Sequence, residues 1–480
     1  MVPWMILPHT IVQTVLLSFS GLYYKRGNIH PKRMKTFVLL LVTAVLVPQG
    51  SNARDLTLIS DTHYDPLYGQ AKGYGACTAP SPPLGRPGCD TPPGLLESLC
   101  TDIKNNARHH TILTGDVQRH KFNVSGLSIS DTFGPICAKL NEALAVNEEK
   151  YPMVSVAIGN NDLVPNYYLN ISEENKYLKQ EADVMVSYKV LLETESNQFK
   201  KCGYYSRELS SKLRVIVLNT IAWCYCNQAH IPDTVKDPCG QMQFLRDQLR
   251  NAKGAGAKVI IISHVPPYIN VWSVLKNKKF RSIDKDMYWK PWFQKEYNEL
   301  MKDYETTVAL QFFGHVHLFS LQALENGVKS IIIPAVTPVY SNHPNYLIAT
   351  VDDTTMKPTT IRQRFLENGT WHEGTHLEDT FGNLSDSASL HKSIRQLLTD
   401  DESWNKFLNH RAGGRAVRPL FPHKVCDTWC RHVVVCSMFK STYEEIQECV
   451  NPGKGNHDRS PRGLALVTLL LFVLFWRTLF

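Results

Sequence analysis

The sequence predicts an α/β protein in which several strands end at residues that bind metals. Between residues 55 and 370, short apolar runs rich in β-branched or aromatic residues alternate with stretches of helical periodicity, such as 95–106 and 241–251. This alternation is typical of an α/β domain. Five of the runs are each followed by a polar turn, and we expect them to be buried strands: LTLIS, TILTG, VSVAIG, KVIIIS and ALQFFG.

Seven side chains in these five turns are candidate metal ligands. Because ligands bind at the carboxyl ends of strands in open α/β sheets, we expect the seven to converge on one site. They are Asp61, His63, Asp116, Asn160, His264, His315 and His317. Any one of them alone has an ordinary structural explanation, such as a helix cap, a turn or a buried hydrogen-bonded histidine. Five strand ends that all carry residues of this type do not.

The number and chemistry of these ligands predict two divalent cations. Carboxylate, amide and imidazole ligands together are typical of zinc, iron or manganese, and we expect Zn²⁺ first, with Mn²⁺ or iron as alternatives. The expected sets, bridged by Asp116 and a water, are Asp61, His63, Asp116 and His317 for one metal and Asp116, Asn160, His264 and His315 for the other. Two metals about 3.5–4 Å apart clamp a phosphoryl group and acidify the water between them. The sequence therefore predicts a hydrolase of phosphate bonds.

Composition and charge fit a folded hydrolase. With 480 residues, 43% of them hydrophobic and 20% charged, the chain suits one large catalytic domain and a smaller appendage, and wholesale disorder is excluded. The net charge of +8 is spread along the chain without a basic block, so no nucleic-acid partner is expected. We expect a monomer.

Both ends of the chain carry targeting features. In residues 1–53, Met34 and Lys35 precede the apolar run TFVLLLVTAVLV and a small-residue end, which predicts a signal peptide. A second apolar stretch upstream leaves a signal anchor and the true start methionine open. In residues 451–480, a polar spacer precedes LALVTLLLFVLFW, which predicts a GPI-attachment signal. A short membrane helix is the alternative; either one would tether the protein to a membrane.

Twelve cysteines and four glycosylation sequons favour the secretory pathway, with the cell surface, vacuole or lysosome as destinations. The sequons begin at Asn123, Asn170, Asn368 and Asn383. Cys77 and Cys89 are expected to close a Pro/Gly-rich loop. The pairing of six cysteines stays open: Cys100, Cys137, Cys202, Cys224, Cys226 and Cys239.

Two folded parts are expected between these ends. Residues 54–384 hold all candidate ligands and form the expected catalytic domain. From residue 385 the stretch SLHKSIRQLLTDDESWNKFLNH has apolar residues at helical spacing. Residues 385–450 therefore predict a small helical subdomain tied by disulfides.

The order of the motifs, D-x-H, G-D, G-N, S-H and G-H-x-H, resembles that of the calcineurin-like metallophosphoesterases over residues 55–370. The resemblance implies a sandwich of two mixed β-sheets flanked by helices. TGDVQRH, the cysteine loop after D-x-H and PAVTPV at 334–339 resemble the acid sphingomyelinase-like branch, in which the histidine at the position of His120 is a candidate proton donor. That resemblance also implies two disulfides near the C-terminus, Cys426 with Cys430 and Cys436 with Cys449.

One position departs from the family pattern. Most metallophosphoesterases have histidine where this chain has Asn161, and an amide cannot supply a proton. The acid role then shifts to His120 or His230, while Asn160 and His264 are expected to stabilise the developing charge. The GNND run and GQMQFLRDQL are similar to the vacuolar endopolyphosphatases, although those tend to lack a histidine in the last motif, where this chain keeps His317.

Three functions follow as hypotheses. The first is a secreted or membrane-anchored sphingomyelinase-like phosphodiesterase, the second an endopolyphosphatase, and the third a surface binding domain with an idle site. The expected substrates are phosphate-containing small molecules, lipid head groups or polyphosphate. An aromatic segment, residues 268–293, is expected either to wall the substrate groove or to pack in the core.

Overall fold

The computed structural model describes residues 53–70, 77, 82–106, 110–144, 152–324, 327–414, 420–423 and 425–452. The expected signal segment up to residue 52 and the expected anchor from residue 453 onward lie outside the described residues. Within the described part of the chain, no helix is both long and apolar enough to cross a membrane.

Twelve strands form two six-stranded sheets in the part of the chain that the structure describes. In chain order they are β1 Ala53–Ile59, β2 Thr111–Leu113, β3 Val154–Val156, β4 Tyr205–Ser210, β5 Leu213–Val217, β6 Lys258–Ile262, β7 Val308–Phe313, β8 Ser320–Ala323, β9 Lys329–Ile332, β10 Asn345–Asp352, β11 Pro358–Glu367 and β12 Thr370–His376.

Both sheets are mixed, which confirms the predicted architecture. The first has the order β12-β11-β10-β1-β2-β3, with β1, β2 and β3 parallel and the rest antiparallel. The second has the order β4-β5-β6-β7-β9-β8, with β5, β6, β7 and β9 parallel. The central parallel strands β3 and β6 are short, rich in β-branched residues and almost fully buried.

Thirteen α-helices surround the sheets among the described residues. They are α1 Pro93–Asn106, α2 Ile129–Leu144, α3 Lys176–Ser187, α4 Glu193–Cys202, α5 Gln241–Gly254, α6 Val271–Asn277, α7 Ile283–Asp286, α8 Pro291–Asp303, α9 Glu378–Phe381, α10 Ser387–Gln396, α11 Asp401–Ala412, α12 Thr428–Phe439 and α13 Tyr443–Val450.

Tyr205 and Arg207 on β4 join the two sheets at their neighbouring edges. The Tyr205 hydroxyl accepts from the N–H of Val156 on β3 at 3.0 Å and lies 3.2 Å from the carbonyl oxygen of the same residue. Arg207 donates to the carbonyl oxygen of Val154 at 2.6 Å and pairs with buried Glu195 at 2.7 Å. These contacts join the two sheets at the edges formed by β3 and β4.

The C-terminal helices α10 to α13 are capped and attached to the rest of the fold. Each begins at a side chain that accepts a backbone N–H of its first turn, as Thr442 does for α13 in a capping box. Gln294 of α8 donates to the carbonyl oxygen of Ser441 at 2.8 Å, and Gln363 of β11 to that of His410 at 2.9 Å. Elements of both parts of the chain are therefore in direct contact.

Ten of the twelve cysteines are paired. The bonds Cys77–Cys89, Cys426–Cys430 and Cys436–Cys449 agree with the expected pairs, and the structure adds Cys202–Cys239 and Cys224–Cys226. Cys100 on α1 and Cys137 on α2 are buried free thiols, and burial raises the pKa of each to about 12.

Candidate metal centre

The carboxyl ends of five strands bring the seven candidate ligands together. Neighbouring parallel strands β1, β2 and β3 lead into Asp61-Thr-His63, Asp116 and Asn160, and β6 and β7 lead into His264 and the His315–His317 turn. The ends of both sheets meet here, as the N–H of His315 donates to Asp61 Oδ2 at 3.0 Å.

The backbone of these turns is unusual. Asp61, His63, Asp116, His315 and His317 all have positive φ, between 39° and 72°. Residues other than glycine rarely adopt this left-handed backbone conformation, and each instance costs on the order of 1–3 kcal/mol when the surroundings impose it. Strain of this kind clusters at functional sites.

Two glycines permit close approach of the turns. A Cβ on Gly159 would collide with the backbone nitrogen and Oδ1 of Asp116, and one on Gly314 would collide with Ser60 Oγ. The glycine that precedes Asn160, like the one that precedes His315, is therefore required by the packing of one ligand turn against another.

Four of the predicted ligands form a compact cluster. Ligand atoms of Asp61, His63, Asp116 and His317 all lie within 4.8 Å of one another. Asp61 Oδ1 is 3.2 Å from His317 Nε2 and 3.9 Å from His63 Nε2. Asp61 Oδ1 and His63 Nε2 are buried and have no hydrogen-bond partner. Buried polar atoms are rarely left unpaired, so these two atoms fit a cation.

The other predicted ligands lie around His264, which is close to both carboxylates: its Nε2 is 3.9 Å from Asp61 Oδ1. His264 Nε2 is 3.3 Å from Asp116 Oδ2 and 3.1 Å from Asn160 Oδ1. The ring of His315 packs edge-on against that of His264 with centroids 5.2 Å apart. Since His63 Nε2 approaches the same Asp116 Oδ2 at 3.4 Å, this oxygen lies between the two groups of ligands.

Backbone carbonyls orient two of the imidazoles. His63 Nδ1 is 3.0 Å from the carbonyl oxygen of Gln118, and His264 Nδ1 is 2.8 Å from that of Thr114. A carbonyl can only accept, so Nδ1 of each ring carries a proton, and in the neutral form of the ring Nε2 presents its lone pair to the cluster. Hydrogen bonds of this kind fix the tautomer of metal-binding histidines.

The two carboxylates are held in the ionised form. Burial alone would raise the pKa of Asp61, but the charge of His317 outweighs burial and lowers the pKa to about 2. Burial is opposed in the same way at Asp116, where His264 holds the pKa of the carboxyl well below its usual range. Both groups are therefore ready to bind a cation near neutral pH.

The histidines divide according to their neighbours. Burial, with the charge of His120, lowers the pKa of His63 to about 4, and burial with the charge of His264 lowers that of His315 to about 3. Burial would also lower the pKa of His264, but Asp116 raises it to about 9. Because a ligand imidazole must be neutral, a metal and a proton compete for His264.

Asp162 holds the turn that carries Asp116. Its Oδ2 accepts the N–H groups of Asp116 at 2.9 Å and Gly159 at 2.7 Å, and its Oδ1 accepts those of Val117 at 2.8 Å and Gln118 at 2.9 Å. One buried carboxylate thus fixes two adjacent turns. This explains the acid that ends the GNND run.

His120 lies beside the cluster and is held by a residue that the sequence analysis missed. Its ring stacks on that of His63 with centroids 4.1 Å apart, and Nδ1 is 2.7 Å from Asp90 Oδ1. Burial alone would lower the pKa of His120, but the hydrogen bond and charge of Asp90 raise it. Asp90 directly follows Cys89 of the first disulfide. This position next to the expected cysteine loop is the feature of the sequence that could have pointed to Asp90.

The two other residues weighed for the acid role are placed differently. Asn161 binds Asp116, since its N–H donates to Oδ1 at 2.7 Å and its side-chain amide donates to Oδ2 at 2.8 Å. His230 is exposed in a turn, and none of its contacts in the described structure reaches the cluster. Of the two histidines, only His120 is beside the cluster.

The PAVTPV segment, residues 334–339, braces the cluster from outside. The N–H of Val336 donates to the carbonyl oxygen of Ser60 at 3.0 Å, and that of Ala335 to the carbonyl oxygen of His317 at 3.1 Å. The segment therefore joins the first and last metal-binding turns.

A cavity of about 430 Å³ opens beside His315, and aromatic side chains line it. The aromatic segment 268–293 divides between the two expected roles. Tyr268, Trp272 and Tyr288 line the cavity, whereas Trp289 and Phe293 pack around buried Trp223 in the core.

Comparison with known proteins agrees with this site. Residues 55–319 match the calcineurin-like phosphoesterase family. Sphingomyelinase phosphodiesterase D of Dictyostelium discoideum is 26% identical over 352 residues, which cover 68% of this chain and 75% of that protein. Acid sphingomyelinase-like phosphodiesterase 3b of Homo sapiens is 26% identical over 440 residues, which cover 82% and 89%.

A third relative is the cyclic GMP-AMP phosphodiesterase SMPDL3A of Rattus norvegicus, 28% identical over 305 residues, which cover 58% of this chain and 63% of that protein. The matched family spans more than half of the chain and includes every candidate ligand. The chain therefore belongs to the calcineurin-like phosphoesterases, a family of metal-dependent enzymes, in the branch of the acid sphingomyelinase-like phosphodiesterases.

Proposed function

We propose that the protein hydrolyses phosphodiester or phosphoanhydride bonds as a sphingomyelinase-like phosphodiesterase with two divalent metals. The observation that carries the proposal is the position of Asp116 Oδ2, 3.4 Å from His63 Nε2 and 3.3 Å from His264 Nε2. One metal is assigned to Asp61, His63, Asp116 and His317, and the other to Asp116, Asn160, His264 and His315. The histidine-rich set favours Zn²⁺, with Mn²⁺ or iron as alternatives.

The chain's own residues supply the remaining chemistry. Two divalent cations, when bound, would activate a water and neutralise charge on the phosphoryl oxygens. Asp90 holds Nδ1 of His120, so the proton on Nε2 of the protonated ring is the one to be transferred to the leaving oxygen. A positioned acid of this kind contributes roughly 10²–10⁴-fold. Asn160 and His264, whose Oδ1 and Nε2 are 3.1 Å apart, would stabilise the charge that develops on the phosphoryl oxygens.

Two other functions are distinguished by particular residues. An endopolyphosphatase is the second candidate, because the GNND run resembles that of the endopolyphosphatases. In this chain Asn161 of the run binds Asp116, so the run is part of the site. A binding domain with an idle site is the third. The unpartnered ligand atoms of Asp61 and His63 argue against it, since an idle site has no reason to keep them.

The route through the cell is part of the proposal. Five disulfides favour an oxidising compartment. The sequon residues Asn123, Asn368 and Asn383 are exposed, and Asn170 is half-buried. We place the protein in the secretory pathway, tethered at the cell surface by its C-terminal segment or delivered to the vacuole or lysosome.

The test compares phosphate-bond hydrolysis by the glycosylated protein and its Asp116→Ala variant, each loaded with zinc or manganese at pH 5 and pH 7. Substrates are a p-nitrophenyl diester, a nucleoside triphosphate, polyphosphate and sphingomyelin. We expect the wild type to bind two metals and turn over at least one substrate, with a loss of 100-fold or more in the variant. Equal rates for the two proteins, or no metal in the wild type, would refute the proposal.

A further inference from the structure

A buried arginine lies in the wall of the cavity that begins at His315. Arg411, on α11, lines this cavity together with Tyr288 and Tyr268. Its side chain comes from the C-terminal helices, about 90 residues after the last metal-binding turn, yet it shares a cavity with His315. Arg411 is only 5% exposed.

The hydrogen-bonding capacity of Arg411 is largely unused. Its Nη1 donates to the carbonyl oxygen of Phe319 at 3.1 Å, and its guanidinium lies over the ring of Phe421. Its Nε is buried without a hydrogen-bond partner. Among the described residues, no carboxylate lies within ion-pair distance of Arg411. A guanidinium has five N–H donors, so a purely structural role accounts for little of its capacity.

An unpaired buried cation needs an anion. Burying a charge is costly unless it is paired and hydrogen-bonded, and burial lowers the pKa of Arg411 to about 10, with no carboxylate to oppose it. Arginine binds phosphate through two parallel N–H bonds. The cavity volume of about 430 Å³ falls in the range of small-molecule sites.

The position of the Arg411 cavity next to the metal centre indicates which anion it would bind. Tyr288 packs edge-on against His315 with ring centroids 5.1 Å apart, and it lines the cavity beside Arg411. A substituent that extends from a phosphoryl group at the metal centre past His315 would enter the cavity that Arg411 lines.

We propose that Arg411 forms a subsite for a second phosphoryl group of the substrate, attached to the one under attack. The inference rests on the proposed function and narrows it to substrates with adjacent phosphates, such as inorganic tripolyphosphate or a nucleoside triphosphate. A choline head group, which is cationic, is disfavoured there. Hydrolysis adds one water across a P–O–P bond, and the bridging oxygen leaves with one of the two phosphates.

The first test measures kcat/KM of the metal-loaded protein for tripolyphosphate, ATP and a p-nitrophenyl diester. In Arg411→Gln we expect a loss of roughly 10- to 100-fold for the two substrates with adjacent phosphates, mainly through KM. The diester should change less than about 3-fold. Arg411→Lys should recover part of the loss, and Arg250→Gln, at an exposed position of α5, is the matched control for lost charge.

The comparison of ATP with tripolyphosphate distinguishes a nucleotide from a free phosphate chain as the ligand of the subsite. Equal losses for ATP and tripolyphosphate mean that the phosphates alone are recognised, and a loss confined to ATP means that the cavity reads a nucleotide. Equal losses for all three substrates in Arg411→Gln would overturn the proposal. If the wild type and Asp116→Ala are equally inactive on all three, the proposed function has failed instead.

A binding measurement without metals does not depend on turnover or on any variant folding. We expect tripolyphosphate to raise the Tm of the metal-free wild-type protein, and phosphocholine to leave it unchanged. The shift should be smaller in Arg411→Gln and intact in Arg250→Gln. No shift of the wild-type Tm with tripolyphosphate, or the same shift with phosphocholine, would overturn the subsite.

Discussion

At the scale of single residues, the centre depends on close contact between turns. Gly159 is in contact with Asp116, while Asp162 binds the N–H groups of both residues. The motif G-N-N-D therefore contains a residue that makes space, a proposed ligand, a donor to Asp116 and an anchor. Each letter of the motif has its own physical role.

We predict that Gly159→Ala displaces Asp116 and prevents the second metal from binding. The added Cβ would collide with the backbone nitrogen of Asp116, which cannot move without breaking the bonds to Asp162. Metal analysis should find fewer than two metals per chain, and hydrolysis should fall about 100-fold or more. Gly254→Ala, at the end of α5 where a Cβ meets no atom within 4 Å, is the control. Normal metal content in Gly159→Ala would contradict this account.

We predict that the pair His120–Asp90 matters only where the leaving group needs a proton. For an alkyl diester, His120→Asn should lower kcat by roughly 10²–10⁴-fold, and Asp90→Asn should also lower it, because the ring loses its charge-assisted hydrogen bond. For a p-nitrophenyl diester the losses should be far smaller, since p-nitrophenolate leaves without protonation. Equal losses on both diesters would assign the pair a structural role.

At the scale of elements, the strands of the site could be predicted better than its surroundings. All five expected strands are present, and each leads into the expected ligands, because a buried β-branched run and the turn after it are local features of sequence. Asp90 and Arg411 could not be placed in this way. Asp90 reaches His120 only through a folded loop, and Arg411 reaches the cavity from a distant helix. The split of the aromatic segment 268–293 depends likewise on tertiary packing.

The loop closed by Cys77 and Cys89 is expected to position His120. Asp90 follows Cys89, and the N–H of Gly88 donates to the carbonyl oxygen of Val339 in the PAVTPV segment at 3.1 Å. We predict that replacing both cysteines by alanine lowers turnover of an alkyl diester as Asp90→Asn does, besides costing roughly 3 kcal/mol of stability.

A matched variant separates the two effects of that change. Replacing Cys426 and Cys430 by alanine also removes one disulfide, but from the start of α12. Kinetics and urea unfolding of both double variants give the comparison. Unchanged turnover per folded molecule in the Cys77/Cys89 variant would show that the disulfide loop does not position His120.

At the scale of the whole molecule, buried histidines away from the metal centre make stability depend on pH. His410 on α11 is 1% exposed and contacts the Thr380 hydroxyl at 2.9 Å, and burial lowers its pKa to about 4. His110 is buried before β2, and burial lowers its pKa to about 3. Both rings are neutral in the folded state at pH 5, whereas unfolded histidine, with a pKa of about 6.5, is protonated there.

We therefore predict that these two histidines lower the free energy of unfolding between pH 7 and pH 5. At these two histidines the unfolded state binds more protons than the folded state over this interval. The stability that each neutral ring contributes is therefore fully present above about pH 6.5 and is lost as the pH drops toward its folded-state pKa. For His410 alone the loss is about 2 kcal/mol at pH 5. In His410→Gln the difference in unfolding free energy between the two pH values should shrink by that amount, whereas His372→Gln, at an exposed position of β12, should leave it unchanged. Urea unfolding of the metal-free proteins at both pH values measures the difference. If His410→Gln retains the full wild-type decrease, the buried ring is not a source of acid sensitivity, and the protein is better suited to an acidic compartment than its buried histidines imply.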